Sequence, residues 1–373
     1  MEEKQKAPGG ARETETKIVQ NIENQPKCMK NDALSTGIKG IESKVISTAK
    51  IAELVDGNKM PSRRYRTARE CAEEAAQKPM PNKLFGSLWF EHETCILFAD
   101  TGLGKSTLAV QLADALTRKI PILGYTPEGG PYKVIYWDFE MSDKQFQIRC
   151  SNSDGLLHPF SDDFLRDGRR EAKEIPDNVD GITYYKGAIE NSIRETNSNV
   201  LIIDNITWLS SEGTEKAKDA APLMKWFATI NDTFQISTLI LAHTPKVADF
   251  IKLSINHLAG SKMIQNFADN IFALGKSSKG ERIRYLKQFK CRDAENLFTA
   301  DNVMEIELQQ DASDTLRHFI LNGYGPEDEH LKTDPGPNKR ESAQRLRKEG
   351  KSYEEIAELL GLSKSTAFNY CAK

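Results

Sequence analysis

Four short apolar runs recur through the middle of the chain, at residues 95–98, 134–137, 200–203 and 238–242, and each ends in polar or charged residues. Runs of this length and β-branched content predict buried strands. Between them lie stretches with helical spacing, one running from Lys105 to about Arg118 and one from Leu223 to about Thr233. Strands alternating with helices, with polar residues gathered at the strand ends, predict a parallel α/β sheet whose site lies at its carboxyl edge. Residues 271–274 and 283–289 read as the last strands, an antiparallel pair. A polar stretch from about Ser151 to Asp180 carries no predicted element.

Outside this core the pattern changes. Residues 1–40 hold few large apolar side chains and read as disordered or as an arm that orders on a partner. Ile41, Val45, Ile46, Ile51 and Leu54 recur at helical spacing, and residues 63–77 form a second helix candidate. Glycines and prolines at 322–326 and 334–338 mark a linker. Beyond it, residues 341–349, 352–360 and 364–370 predict three helices, with Ser352 and Glu355 spaced as a capping box. Ile356, Ala357, Leu360, Leu362, Ala367 and Tyr370 would be their small core.

Composition narrows the class. The chain has 373 residues, 39% hydrophobic and 28% charged, with a net charge of −3, which argues against a histone-like protein. No run approaches a membrane span, and the first residues lack an apolar signal core, so a cytoplasmic, non-membrane protein is expected. Six cysteines lie far apart, without metal-like pairing, and read as reduced thiols.

The chemistry starts at the first apolar run. Asp100, Thr101, Gly102, Leu103, Gly104, Lys105, Ser106 and Thr107 follow it as a P-loop. Gly102 and Gly104 permit the backbone angles of a phosphate cradle. Lys105 supplies charge for the β- and γ-phosphates, Ser106 a hydroxyl for Mg²⁺, and the helix behind them its N–H groups. One residue departs from the pattern: Ala99 stands where a glycine is asked for. Asp204 closes its run as a Walker B aspartate would, orienting Mg²⁺. Asp138 and Glu140 lie two apart beyond the second strand, on one side if the strand continues. Either could activate water as general base, and we assign Glu140. His243 ends the next strand and could sense the γ-phosphate. Lys287, Lys290 and Arg292 cluster near a late strand, where a cation could reach a neighbour's nucleotide and neutralise transition-state charge.

Trp137, Asp138, Phe139, Glu140, Met141 and Ser142, with Gln145 and Arg149 following, resemble the strand-and-helix segment of DnaB-type helicases. With the P-loop, the Asp204 strand and the segment at 242–246, residues 80–300 resemble the RecA-like ATPases, and among them the RepA-type hexameric helicases of plasmids and mobile elements. The resemblance implies a RecA-like P-loop core, a homohexameric ring with ATP and Mg²⁺ at subunit interfaces, Glu140 as base, Asp204 on the metal and a finger acting in trans through Lys290 or Arg292. It places loops 208–221 and 245–262 in a channel for single-stranded DNA, with Lys246, Lys252 and Lys262 on the backbone and Phe250 as the one aromatic among them. The tail resembles a helix-turn-helix, which implies Ser363, Lys364, Ser365, Thr366 and Asn369 facing duplex DNA. The expected domains are an arm at 1–60, the ATPase domain at 61–320, a linker at 321–338 and the helix-turn-helix at 339–373. The function expected is an ATP-driven DNA helicase for element replication. The alternatives are a KaiC-like or transposition-type ATPase switch on DNA and a nucleotide-gated transcription regulator.

Overall fold

The computed structural model describes residues 65–169, 175–176, 178–209, 217–244, 247–258, 262–333 and 336–372. The helix expected at 41–54 lies outside them, as does Lys246. The chain divides into two units, residues 1–77 and 78–373. In the first, helix α1 (Ala68–Ala76) is capped reciprocally by Thr67 and Glu70 and buries none of its residues.

The second unit is built on a nine-stranded sheet. Strands β1 (Lys83–Phe85) and β2 (Trp89–Phe90) form a small hairpin ahead of it. Then follow β3 (Thr94–Ala99), α2 (Lys105–Arg118), β4 (Val134–Asp138), α3 (Asp143–Arg149), β5 (Phe164–Gly168), α4 (Gly181–Thr196), β6 (Val200–Asp204), α5 (Ala217–Phe234) and β7 (Ser237–His243). Helix α6 (Lys262–Phe267) leads to β8 (Asn270–Lys276), β9 (Ile283–Lys290), β10 (Val303–Gln309) and β11 (His318–Gly325). The sheet order is β11-β10-β9-β8-β3-β7-β6-β4-β5. Strands β8 to β5 in that order pair parallel, and β9, β10 and β11 continue the sheet antiparallel. This is the RecA-like α/β fold expected from the sequence, with the P-loop strand near the centre.

Each parallel strand serves two cores because successive side chains alternate faces. In β3, Cys95, Leu97 and Ala99 pack with Leu108, Leu112 and Leu116 of α2. Ile96 and Phe98 face the other way, into a second core that also holds Tyr185, Ile189 and Ile193 of α4 and Leu223, Met224 and Phe227 of α5.

Several expectations are corrected here. The polar stretch at 151–180 contains edge strand β5, whose residues are all half-buried. Residues 322–325, read as linker, are the end of β11, with Gly323, Tyr324 and Gly325 paired to β10. Just beyond, Glu327 is fully buried and accepts from the Leu253 N–H at 2.7 Å, the Tyr285 hydroxyl at 3.1 Å and the Lys287 ammonium. Lys287 also donates to the Leu253 carbonyl at 2.7 Å, so its charge is used inside the fold.

The tail forms α7 (Gly336–Lys348), α8 (Tyr353–Leu360) and α9 (Lys364–Cys371). Ser352 and Glu355 make the capping box expected of them. Ala343, Ile356, Ala357, Ala367 and Tyr370 are the buried centre, flanked by Leu346, Leu360 and Leu362. Phe250 completes it, its ring 6.5 Å from that of Tyr370.

Candidate functional site

The P-loop is delivered by β3. Ala99 ends the strand in register with His243, and the positive φ angles fall on Gly102 (+80°) and Gly104 (+104°). An alanine is therefore tolerated where the pattern asks for glycine, because that position keeps strand geometry. Gly104 has no such latitude: a Cβ there would lie 2.7 Å from Phe319 Cζ. Helix α2 starts at Lys105, aiming its first N–H groups into the loop.

Lys105 is buried. Its ammonium donates to the Ala99 carbonyl at 2.8 Å and the Asp100 carbonyl at 3.2 Å, and lies 3.3 Å from His243 Nδ1. Burial lowers its pKa, opposed by the charges of Asp204, Glu140 and Asp100.

Three carboxylates end the neighbouring strands, and their surroundings give them different work. Asp138 is buried with both oxygens committed. Oδ1 accepts the Glu140 and Met141 N–H groups at 3.1 and 2.8 Å, and Oδ2 accepts Arg166 Nε and Nη2 at 3.1 and 3.0 Å. It is a structural anchor, with both oxygens engaged inside the fold. Because β4 stops at Asp138, Glu140 sits in the turn beyond the strand rather than on it. Glu140 Oε1 is 2.9 Å from His243 Nε2, and that hydrogen bond holds the carboxyl below its ordinary pKa against the effect of partial burial.

Asp204 is buried at the end of β6. Burial pushes its pKa up to about 6, while the neighbouring Ser106 and Tyr136 hydroxyls hold the rise back. The Tyr136 hydroxyl donates to Oδ2 at 2.6 Å, and among the described residues Oδ1 has no hydrogen-bond partner. An orphaned buried carboxylate oxygen beside a serine hydroxyl fits the oxygen donor set of a hydrated Mg²⁺.

These groups surround a cavity of about 330 Å³. Thr101, Gly102, Gly104, Lys105, Ser106 and Thr107 line one side, Glu140 and His243 its inner end, and Arg149, Leu308 and Arg317 the rest. Asp100 and Leu103 line a separate cavity with Thr244 and Tyr285, and the Leu103 carbonyl accepts from Arg284 Nε at 3.3 Å. Sequence reasoning gave no role to Tyr136, Asn205 or Arg317. Tyr136 and Asn205 adjoin the acidic strand ends and were within reach of it. Arg317 carries no local signal, since only the β10–β11 pairing brings it to the site.

The remaining candidates lie elsewhere. Lys290 pairs in register with Ile271, at the amino edge of the parallel strands, opposite the P-loop. Its ammonium donates to the carbonyls of Gln265, Asn266 and Ala268, and exposed Arg292 pairs with Asp269 at 2.6 Å. Neither reaches its own chain's cavity. Lys252 pairs with Asp328 at 2.7 Å, and Lys262 is exposed at the start of α6. In the tail, Ser363 caps α9 by accepting from the Thr366 N–H at 3.1 Å, which occupies its oxygen. Lys364, exposed, pairs with Glu354, while Ser365 and Asn369 are exposed and Thr366 is half-buried.

A profile of the AAA domain family matches residues 61–249, just over half the chain. The chain belongs to the AAA domain family. Together with the P-loop and the fold, this makes it an ATPase of the RecA-like class. Among solved structures, the AAA domain chain is similar to a KaiC-like protein from the hyperthermophilic archaeon Pyrococcus horikoshii OT3. They share 12% identity over 62% of this chain and 90% of that one, with a TM-score of 0.43. No curated protein matches the sequence. Among the described residues, no helix is long and apolar enough to cross a membrane.

Proposed function

We propose that this ATPase is a DNA motor: a RepA/DnaB-like ring, hexameric by resemblance, that hydrolyses ATP at subunit interfaces and moves along single-stranded DNA in the replication of a plasmid or mobile element. The observation that carries this reading is the placement of cations. Lys105 stands in the chain's own cavity, while Lys290 and Arg292 stand at the opposite sheet edge. A head-to-tail interface between copies would bring that edge to a neighbour's site, as closed rings require.

In the reaction, water attacks the γ-phosphorus and the bond to the bridging β-phosphate oxygen breaks. Glu140 takes the water's proton, and ADP and phosphate leave. Lys105 leaves the Ala99 and Asp100 carbonyls for the phosphates. His243, which touches both Lys105 and Glu140, registers the change. Ser106 and Asp204 would hold Mg²⁺, which would neutralise charge on the phosphate oxygens. Arg292 of an adjacent copy adds to that neutralisation. Lys246, Lys252 and Lys262 track the DNA backbone, with Lys252 exchanging Asp328 for phosphate. The tail contacts duplex DNA through Lys364, Ser365, Thr366 and Asn369.

One feature favours a second reading, a non-translocating ATPase switch on DNA. Phe250, in the loop that follows His243, is part of the tail's core, so nucleotide state has a physical route to the tail. The deciding experiment is steady-state ATPase with and without single-stranded DNA at fixed salt, with mass by light scattering and unwinding of a forked duplex. Stimulated turnover, a hexamer-sized mass and unwinding support the motor. Stimulated turnover without unwinding supports the switch. An Arg292→Ala protein that regains turnover when mixed with Glu140→Gln would support the finger acting in trans; failure to regain it counts against the interface.

A further inference from the structure

Asn205 follows Asp204 directly, and the chemistry above makes no use of its side chain. It is 3% exposed. Its Oδ1 accepts the Thr207 N–H at 3.0 Å, which leaves the amide nitrogen facing the site. There Nδ2 donates to Glu140 Oε1 and lies 2.8 Å from His243 Nε2. A flipped amide would set its oxygen against the Glu140 carboxylate and its NH₂ against the Thr207 N–H, so its neighbours fix the orientation.

The histidine tautomer follows from the same donor count. The Lys105 ammonium can only donate, so His243 Nδ1, 3.3 Å away, is the acceptor. Nε2 then carries the proton and donates to Glu140 Oε1 at 2.9 Å, so the adjacent Asn205 NH₂ shares that oxygen as a second donor rather than bonding the ring. Two donors therefore converge on Oε1, and among the described residues none bonds Oε2.

We infer that Asn205 is a positioning residue for hydrolysis: its amide, with His243, pins the Glu140 carboxylate by Oε1 and leaves Oε2 as the oxygen that meets the attacking water. The inference rests on the reading of Glu140 as general base. A carboxylate in a turn is free to rotate, and a general base is useful only when held within hydrogen-bond reach of the proton it takes. A purely structural asparagine would need only the Thr207 bond. The second end, committed to the carboxylate of Glu140, is what a positioning role requires.

The test uses Asn205→Asp and Asn205→Ala in the full chain, read by steady-state ATPase and by titration with a fluorescent ADP analogue. Aspartate keeps the shape and the acceptor for Thr207 but cannot donate to Glu140. Both variants are expected to lose roughly ten- to a hundredfold in kcat, part of the ~10²–10⁴ a general base contributes. Their KM and ADP affinity should stay within about threefold of the parent. Added to Glu140→Gln, Asn205→Ala should remove little further residual turnover, because the amide acts through the base. Normal kcat in both asparagine variants, with Glu140→Gln inactive, would overturn the inference and leave the base in place. Normal turnover by Glu140→Gln would instead remove the base assignment, and the inference with it. A matching loss of ADP affinity in both asparagine variants would also overturn it, by assigning the amide to the loop's structure.

Discussion

Glu327→Ala should be one of the most damaging single changes away from the nucleotide cavity. Glu327 is fully buried, and the side chain of its partner Lys287 is 10% exposed. Removing the carboxylate strands a buried ammonium with the Leu253 carbonyl as its remaining hydrogen-bond partner. It also deprives the Leu253 N–H and the Tyr285 hydroxyl of their acceptor. Breaking a buried pair in this way costs roughly 3–5 kcal/mol, most of it from the uncompensated charge. For a unit of this size that corresponds to a fall in Tm on the order of 10 °C. Urea unfolding of the nucleotide-free protein, followed by circular dichroism, measures it. The double change Glu327→Leu with Lys287→Met removes both charges and should cost less than the single one. A single variant within about 1 kcal/mol of the parent would refute the reasoning. So would a double variant less stable than the single, because the loss would then belong to packing rather than to charge.

Further predictions concern the site and the tail. Asp204 is raised from an ordinary 3.8 to about 6, so ionising it in the nucleotide-free protein costs roughly 3 kcal/mol at neutral pH. That penalty is absent at low pH and grows as pH rises through those values. Asp204→Asn should therefore raise the Tm of the nucleotide-free protein at pH 7 while abolishing Mg²⁺-dependent turnover; an unchanged or lower Tm would contradict it. Glu140 has the opposite sign. Its pKa is depressed by His243, so the contact stabilises above the ordinary carboxylate value and is lost as pH falls through the depressed one. The acid limb of kcat should lie below the usual carboxylate range and move upward in His243→Ala; a stationary limb would mean the charge on Glu140 is set by other groups. Phe250→Ala empties part of the tail's core and should cost about 2 kcal/mol, below the usual range because the ring is only partly buried. Hydrogen exchange should speed up in α7 to α9, and unchanged protection there would show that the ring adds nothing to their packing.

The parallel core was legible because its strands are buried on both faces. Such strands leave continuous apolar runs, and the candidate residues Asp204 and His243 stand where two of those runs stop. The tail was legible through Ser352, Glu355 and the spacing of Ile356, Ala357 and Ala367. Strand β11 was not, since Gly323 and Gly325 mimic a linker until β10 pairs with them. Strand β5 is a half-buried edge with no alternation to find. The retirement of Asp138 was illegible for a related reason. Arg166 takes both contacts to its Oδ2, and it arrives only because β5 pairs with β4, setting Arg166 beside Tyr136. Helix α4 did carry its signal, with Tyr185, Ile189 and Ile193 each four apart, between the polar stretch at 151–180 and the run that ends in Asp204.

The ring of Phe250 has an implication for how this chain can be cut and recombined. A detachable module carries its whole interior with it, so that it can be moved between hosts at the cost of a linker. The three helices after Gly336 do not: part of what they enclose belongs to a loop of the catalytic body, some ninety residues earlier in the chain. So small a unit has little apolar interior to spare. Transplanted alone, it would arrive incomplete, and a different tail grafted here would leave Phe250 without its seat. Loop and tail are bound to change together, as two halves of one surface.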